Sequence, residues 1–222
     1  LVKPEIPNVS TIGVLDLQGG VVEHLEHLAA LDVPARRVKQ AKDFNGIAGL
    51  IIPGGESTTL SRLLKRYGLD SEIKERFQAG LKLWGTCAGA ILLAREIVGE
   101  TPHLGLIDIS VQRNAFGSQL DSFNTIVDIP ALHETAVPLT FIRAPKITRL
   151  GEGVSSLLQL DDYHAAAEDP NILVTIFHPE LTPHLAFHRY FTLKCGIPVR
   201  DGDEKRDERW RTNSWVSYAP IP

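Results

Sequence analysis

Leu81-Lys82-Leu83-Trp84-Gly85-Thr86-Cys87-Ala88-Gly89-Ala90-Ile91-Leu92-Leu93 sets a short apolar strand, a glycine-flanked turn and an apolar helix in direct succession. Its reading decides the fold, because a strand turning sharply into a helix is the building unit of a parallel α/β sheet. The strand is predicted over Leu81 to Trp84 and the helix over Ala90 to Val98. Toward the N-terminus the same alternation recurs. Ile12 to Leu17 is an apolar run broken at Gly19-Gly20, and Val21, Leu25, Leu28 and Leu31 then repeat at helical spacing until Pro34. Ala35 to Val38 and Leu50-Ile51-Ile52 read as strands, the second ended by Pro53-Gly54-Gly55. Thr58 to Tyr67 and Ser71 to Phe77 read as helices separated at Gly68. Toward the C-terminus the character changes. Leu106 to Val111, Phe123 to Ile129, Leu139 to Ile142, Leu157 to Leu160, Tyr163 to Ala167 and Ile172 to Phe177 are predicted strands with little helix between them, expected as an antiparallel extension of the same sheet. A helix from Pro183 to Lys194 closes the pattern. The expected architecture is a three-layer α/β sandwich with a central mixed, mostly parallel sheet.

Composition narrows the function classes. Of 222 residues, 43% are hydrophobic and 23% charged, with a formal net charge of −4, which advertises neither nucleic acid nor an anionic membrane as a partner. Two cysteines exclude a disulfide scaffold and fit a reducing, cytoplasmic setting. No apolar run approaches the ~18 residues of a membrane span, and Leu1 to Ser10 carries neither a signal-peptide core nor an Arg-rich amphipathic helix. The expected organisation is one domain over 11–195 and a charged tail over 196–222. Between Arg200 and Arg211 that tail holds five basic and five acidic residues, followed by Trp215 and Tyr218. It reads as a solvated segment or as a docking segment anchored by its tryptophans, Trp210 included.

Three clusters carry chemistry. Gly85-Thr86-Cys87-Ala88-Gly89 has the G-x-nucleophile-x-G arrangement, in which the glycines permit a turn that exposes the nucleophile above the sheet. The helix that follows favours a thiolate at Cys87, and the Ala88 N–H would face an oxyanion beside the sulfur. A small apolar cysteine in a tight turn is the alternative. His178-Pro179-Glu180 follows a predicted strand, and residues i and i+2 of an extended segment point to one side, so Glu180 could hold the imidazole while His178 takes the thiol proton. Pro53-Gly54-Gly55-Glu56-Ser57 follows another strand. There Gly55 could supply a second oxyanion donor, or Ser57 could merely cap a helix. His24 with His27, and His184 with His188, have spacings compatible with metal ligation, but without a third ligand they read as solvated helix faces. Cys195 reads as a bystander.

Taken in order, Leu17-Gln18-Gly19, Pro53 to Thr59, Gly85 to Gly89, Arg113-Asn114-Ala115-Phe116-Gly117, Phe141-Ile142-Arg143-Ala144-Pro145 and Phe177 to Thr182 resemble class I (triad-type) glutamine amidotransferases. The match is specifically to the glutaminase subunits of pyridoxal phosphate synthases, and it spans roughly residues 11 to 193. The resemblance implies a flavodoxin-like glutaminase fold with Cys87, His178 and Glu180 as catalytic triad. It further implies Gly55, Glu56, Ser57, Arg113, Ile142 and Arg143 around L-glutamine, and Gln18 at a partner contact. The implied activity is hydrolysis of glutamine to glutamate and ammonia, with no metal or organic cofactor. The ammonia passes to a barrel-shaped synthase subunit for vitamin B6 biosynthesis. A weak or inactive binding subunit, or a glutaminase serving another acceptor, are the alternatives. Asp16 and Gly20 depart from the family pattern near the presumed partner-contacting segment.

Overall fold

In a computed structural model of the chain, residues 10–113, 115 and 122–200 are described. The elements run β1 (Thr11–Leu15), α1 (Val21–Ala30), β2 (Ala35–Val38), β3 (Ile47–Ile52), α2 (Ser57–Arg66), α3 (Leu69–Gln78), β4 (Lys82–Thr86), α4 (Ala88–Leu93) and β5 (Ala94–Ile97). They continue as β6 (Ile107–Gln112), β7 (Ser122–Ile129), β8 (Glu134–Ile142), β9 (Lys146–Leu150), β10 (Ser155–Leu160), β11 (Tyr163–Glu168), β12 (Ile172–Thr175) and α5 (Ala186–Lys194).

One mixed sheet has the order β2-β1-β3-β4-β12-β11-β9-β6-β5, with β10 paired to β11. The five neighbours β2, β1, β3, β4 and β12 are all parallel. Their central strands are apolar throughout, as burial on both faces requires: Leu50, Ile51, Ile52, Ile172, Leu173 and Val174 have no exposed surface. The crossover from β1 to β2 runs one way along the sheet and that from β3 to β4 the other. Right-handed crossovers therefore put α1 on one face and α2 with α3 on the opposite face. Trp84 of β4 packs against Phe187 and Phe191 of α5, which joins α1 on its face. Because the chain reverses direction along the sheet between β1 and β3, a crevice opens at the carboxyl ends of those strands.

Three expectations are corrected. The helix expected over Ala90 to Val98 ends at Leu93; Ala94 turns to extended geometry and β5 pairs parallel with β6 at the sheet edge. The unbroken apolar run there carries no period to separate helix from buried strand. The antiparallel extension exists as β6, β9, β10 and β11, but Phe123 to Ile129 and Leu139 to Ile142 leave it. They form the separate hairpin β7–β8, whose Phe123 and Phe141 rings stack at 4.4 Å. Lys146–Leu150 is a strand that the sequence pattern does not announce, and α5 begins at Ala186 rather than Pro183. The tail beyond Arg200, with Trp210 and Trp215, lies outside the described residues, as do Asn114 and Phe116 to Asp121.

The elbow between β4 and α4 is held by close backbone approach. A Cβ on Gly89 would collide with the Ile52 carbonyl oxygen of the neighbouring strand. Gly89→Ala is therefore expected to force a backbone shift costing about 1–3 kcal/mol, seen as a fall in Tm of roughly 2–4 °C per kcal/mol. An unchanged Tm in that variant would contradict this packing.

Candidate active site

Four strand ends meet at the crevice. The turn after β1 contributes Gln18, Gly19 and Gly20, the turn after β3 contributes Gly54 to Ser57, β4 ends at Cys87, and the segment after β12 carries His178 and Glu180. All of these but Gln18 line a cavity of about 470 Å³ that also takes in Ala88, Ile91, Arg113, Ile142 and Arg143. The thiol and its expected partners, far apart in the chain, are thus brought to one place.

Cys87 sits at φ 47°, ψ −104°, a conformation that L-residues rarely adopt and that costs on the order of 1–3 kcal/mol. Its N–H donates to the Thr175 carbonyl of β12 at 2.8 Å, which ties the elbow to the strand leading into His178. Its Sγ lies 3.9 Å from the Ile142 carbonyl oxygen. Gly54 lies between the reactive groups, since a Cβ there would sit 2.5 Å from His178 Cε1 and 3.4 Å from Cys87 Cβ. Ala88 opens α4, so its N–H is among the first-turn donors that no intrahelical carbonyl takes. Gly55 has φ 138°, outside the reach of other residues, and gives its peptide freedom at the cavity wall.

His178 Nδ1–H donates to Glu180 Oε1 at 2.8 Å. The pleat is not what brings them together: β12 stops at Thr175, and Glu180 lies in a 3-10 turn over Pro179–Leu181 that folds back under the ring. The His178 N–H is fixed by the Thr140 carbonyl of β8 at 2.8 Å, so the hairpin buttresses the site. Burial alone would lower the His178 imidazole, but the Glu180 carboxylate and the Cys87 thiol outweigh it and hold the ring well above its usual value. Burial pulls Glu180 upward, yet the adjacent His24 and His178 keep its carboxyl low, at about 2. The arrangement is a thiol, a proton-holding imidazole and a buried carboxylate, in that order, which is the constellation of a nucleophile activated by an oriented base.

The cap of α2 is not Ser57, the alternative reading of this turn. Glu56 is the capping residue, accepting from the N–H groups of Thr58 at 3.0 Å and Thr59 at 2.6 Å. Burial nudges its carboxyl upward, and these donors bring it down to about 2. A carboxylate beats a hydroxyl here because it accepts two N–H groups at once and carries the charge that a helix start favours. Ser57 becomes the first helical residue, and its buried Oγ has no hydrogen-bond partner among the described residues, leaving it available at the cavity wall. Arg113 reaches the mouth, where Glu100 binds its Nη1 at 2.7 Å and Glu56 lies 3.4 Å from Nη2. Arg143 is exposed with φ 46°. Gln18 reaches across the crevice, its Oε1 accepting from the Glu56 N–H at 3.2 Å.

The histidine pairs contradict the expectation of solvated faces. His24, His27 and His188 have no exposed surface and His184 only 5%. His24 Nδ1 lies 2.8 Å from His188 Nε2, the His27 and His188 rings stack at 4.4 Å, and His27 Nε2 is 2.8 Å from the Thr182 carbonyl oxygen. Spacing within one helix could not foretell this, because α1 and α5 are 164 residues apart at the His24–His188 contact. A signal was available in the apolar neighbours Leu25, Leu28, Phe187 and Phe191, which put these histidines on or beside the inward stripe. Cys195 is half-buried at the end of α5, and burial pushes its thiol up to about 12 against the pull of Lys82 and Lys194.

A model of the SNO glutamine amidotransferase family matches residues 14–196. A pyridoxal 5'-phosphate synthase subunit PdxT from Syntrophus aciditrophicus is 58% identical over 213 residues, covering 95% of each chain. The protein of the same name from Clostridium acetobutylicum is 50% identical over 181 residues, covering 81% of this chain and 97% of that one. Among solved structures, a glutamine amidotransferase superposes with TM-score 0.79 at 43% identity, covering 85% of this chain and all of the other. A putative GMP synthase component from Thermoplasma acidophilum shares the fold, with TM-score 0.60 at 18% identity, covering 85% of this chain and 94% of the other.

The contrast between the two thiols is measurable. Iodoacetamide near neutral pH is expected to alkylate Cys87 at least about tenfold faster than Cys195, since attack needs the thiolate, which burial disfavours at Cys195, while Cys87 lines the cavity beside His178. Peptide mapping by mass spectrometry reads the ratio, and preferential labelling of Cys195 would refute the assignment of Cys87 as the reactive thiol.

Proposed function

The chain belongs to the SNO glutamine amidotransferase family, and from that membership and the geometry of the crevice we propose how it works as the glutaminase subunit of a pyridoxal phosphate synthase. The observation that carries the reading is the line from Cys87 through His178 to Glu180, with a cavity opening directly over the sulfur. The substrate is L-glutamine, whose side-chain amide carbon lies over Cys87. His178 holds the proton taken from Cys87, the thiolate attacks, a C–S bond forms as the carbonyl π bond opens, and the oxyanion is met by the N–H groups of Gly55 and Ala88. The intermediate collapses as His178 gives its proton to the departing ammonia. Water then enters, His178 takes its proton, and hydrolysis of the thioester releases glutamate and restores the thiol. Glu180 holds the imidazole in the tautomer that both steps need.

Glu56, Ser57, Ile142, Arg113 and Arg143 surround the rest of the glutamine. The guanidinium of Arg113, held at the mouth by carboxylates of this chain, suits the α-carboxylate in a two-pronged bond. Ammonia passes to a barrel-shaped synthase partner that docks over the crevice rim. Gln18 supports this placement of the partner. It stands on the rim and grips the Gly55–Glu56 peptide through the Glu56 N–H, so a partner that engages Gln18 acts on the peptide next to the oxyanion donor. Removing one such donor costs about 2.7–4 kcal/mol, or ~10²–10³ in turnover, and this is the scale available for partner control.

Three outcomes are expected. Ammonia release by the isolated chain is slow and rises on titration with the synthase subunit. Cys87→Ser abolishes it in the complex, and Gln18→Ala weakens the stimulation without loss of folding. Full activity without partner would remove the control, and retained turnover in Cys87→Ser would remove the triad. Separately, Arg113→Ala loses a charge-assisted bond worth on the order of 1.5–3 kcal/mol, lowering kcat/KM for glutamine roughly tenfold or more. Unchanged kinetics would make Arg113 a structural residue.

A further inference from the structure

Behind the carboxylate of Glu180 lies a group that the chemistry above does not use. Gly20 and His24, one turn apart at the start of α1, both face Glu180. A Cβ on Gly20 would lie 3.0 Å from Glu180 Cγ and Oε1, so that side of the carboxylate is walled by backbone. His24 Nε2 lies 3.6 Å from Glu180 Oε2. The two side chains are 0% and 1% exposed, and neither of the two facing atoms has a hydrogen-bond partner among the described residues. On its other side the His24 ring reaches His188 Nε2 at 2.8 Å, and the edge of Trp84 closes the pocket at a centroid distance of 5.6 Å.

A neutral imidazole has one N–H. With the proton on Nε2, His24 aims a donor at Oε2 while its Nδ1 accepts from His188 Nε2–H. With the proton on Nδ1, a lone pair would face a buried carboxylate oxygen, a repulsion that low local dielectric enlarges. Burial lowers the His24 imidazole to about 4 against the upward pull of Glu180, so at neutral pH the ring is an uncharged donor and not a second cation competing with His178. The present 3.6 Å separation is a contact, not a hydrogen bond. Closing it by about 0.6 Å satisfies two orphaned buried atoms at once, and catalytic hydrogen bonds commonly tighten only with substrate bound.

We propose that His24 is the positioning residue of Glu180: it donates from Nε2 to Oε2, its tautomer set by His188, and thereby leaves Oε1 aligned on His178. The inference rests on the triad reading above. It predicts an effect on turnover and not on glutamine binding, because His24 does not line the cavity.

The test uses the full chain in complex with its synthase subunit, with ammonia release measured over a range of glutamine concentrations and folding followed by circular dichroism and Tm. His24→Leu is expected to lower kcat roughly 10- to 100-fold, as misplacement of a catalytic group does, with KM within about twofold. His24→Gln, whose amide N–H can reach the same oxygen, is expected to recover kcat to within about fivefold of wild type. Should the leucine variant fold poorly, His24→Asn replaces it, since its shorter amide reaches toward His188 but not Oε2; kcat well below that of His24→Gln is then expected. Equal turnover in folded donor-bearing and donor-lacking variants, whether both high or both low, overturns the proposal. Failure of the triad reading looks different: there the wild-type complex releases no ammonia, or Cys87→Ser remains active.

Discussion

Everything at the site depends on the chain passing through Cys87 at φ 47°, ψ −104°. A backbone strained in this way persists only where its surroundings over-determine it. Here they do so from two sides. The Cys87 N–H is bound by Thr175 of the adjacent parallel strand, and the two glycines flanking the elbow bring backbone against backbone, Gly85 onto Gly89 and Gly89 onto Ile52. The parallel register of β3, β4 and β12 is therefore more than scaffold. It sets the strand that ends at Cys87 directly beside the strand that leads to His178.

The second constraint is electrostatic. A carboxylate with 1% of its side chain exposed is costly unless its oxygens are occupied. Oε1 is engaged by His178, and the surrounding wall of Gly20, His24 and the 3-10 turn leaves no room for bulk water. Such a buried pair does little for net stability, since desolvation offsets most of the attraction. Its benefit is in the imidazole it orients, which keeps its proton at neutral pH while sitting in an interior that would otherwise strip it. The hairpin β7–β8 joins this arrangement through the Thr140 carbonyl, which gives a peripheral element a direct role in aiming His178.

Several contacts of the crevice converge on Glu56. Its carboxylate caps α2, its N–H is held by Gln18, and it stands beside Arg113 at the mouth. A helix start, the crevice rim and the Arg113 guanidinium are thereby joined through one residue. Gln18 at the rim is one hydrogen bond away from the Gly55–Glu56 peptide.

Much was legible in the sequence because it depends on near neighbours. The alternation of apolar strands and helical stripes, the glycines at Gly85, Gly89 and Gly54, and the proximity of His178 to Glu180 all follow from short-range sterics and periodicity. So the mostly parallel sheet and the identity of the candidate nucleophile could be read directly. The tertiary structure decided the rest. An unbroken apolar run cannot say where Leu93 hands over from helix to the β5 strand; only pairing with β6 does. Glu56 outcompetes Ser57 at the cap because its carboxylate accepts two N–H groups at once, which depends on where the chain turns into α2. His24 and His188 become an interior pair only when α1 and α5 pack on one face of the sheet, a contact across 164 residues that no local pattern encodes.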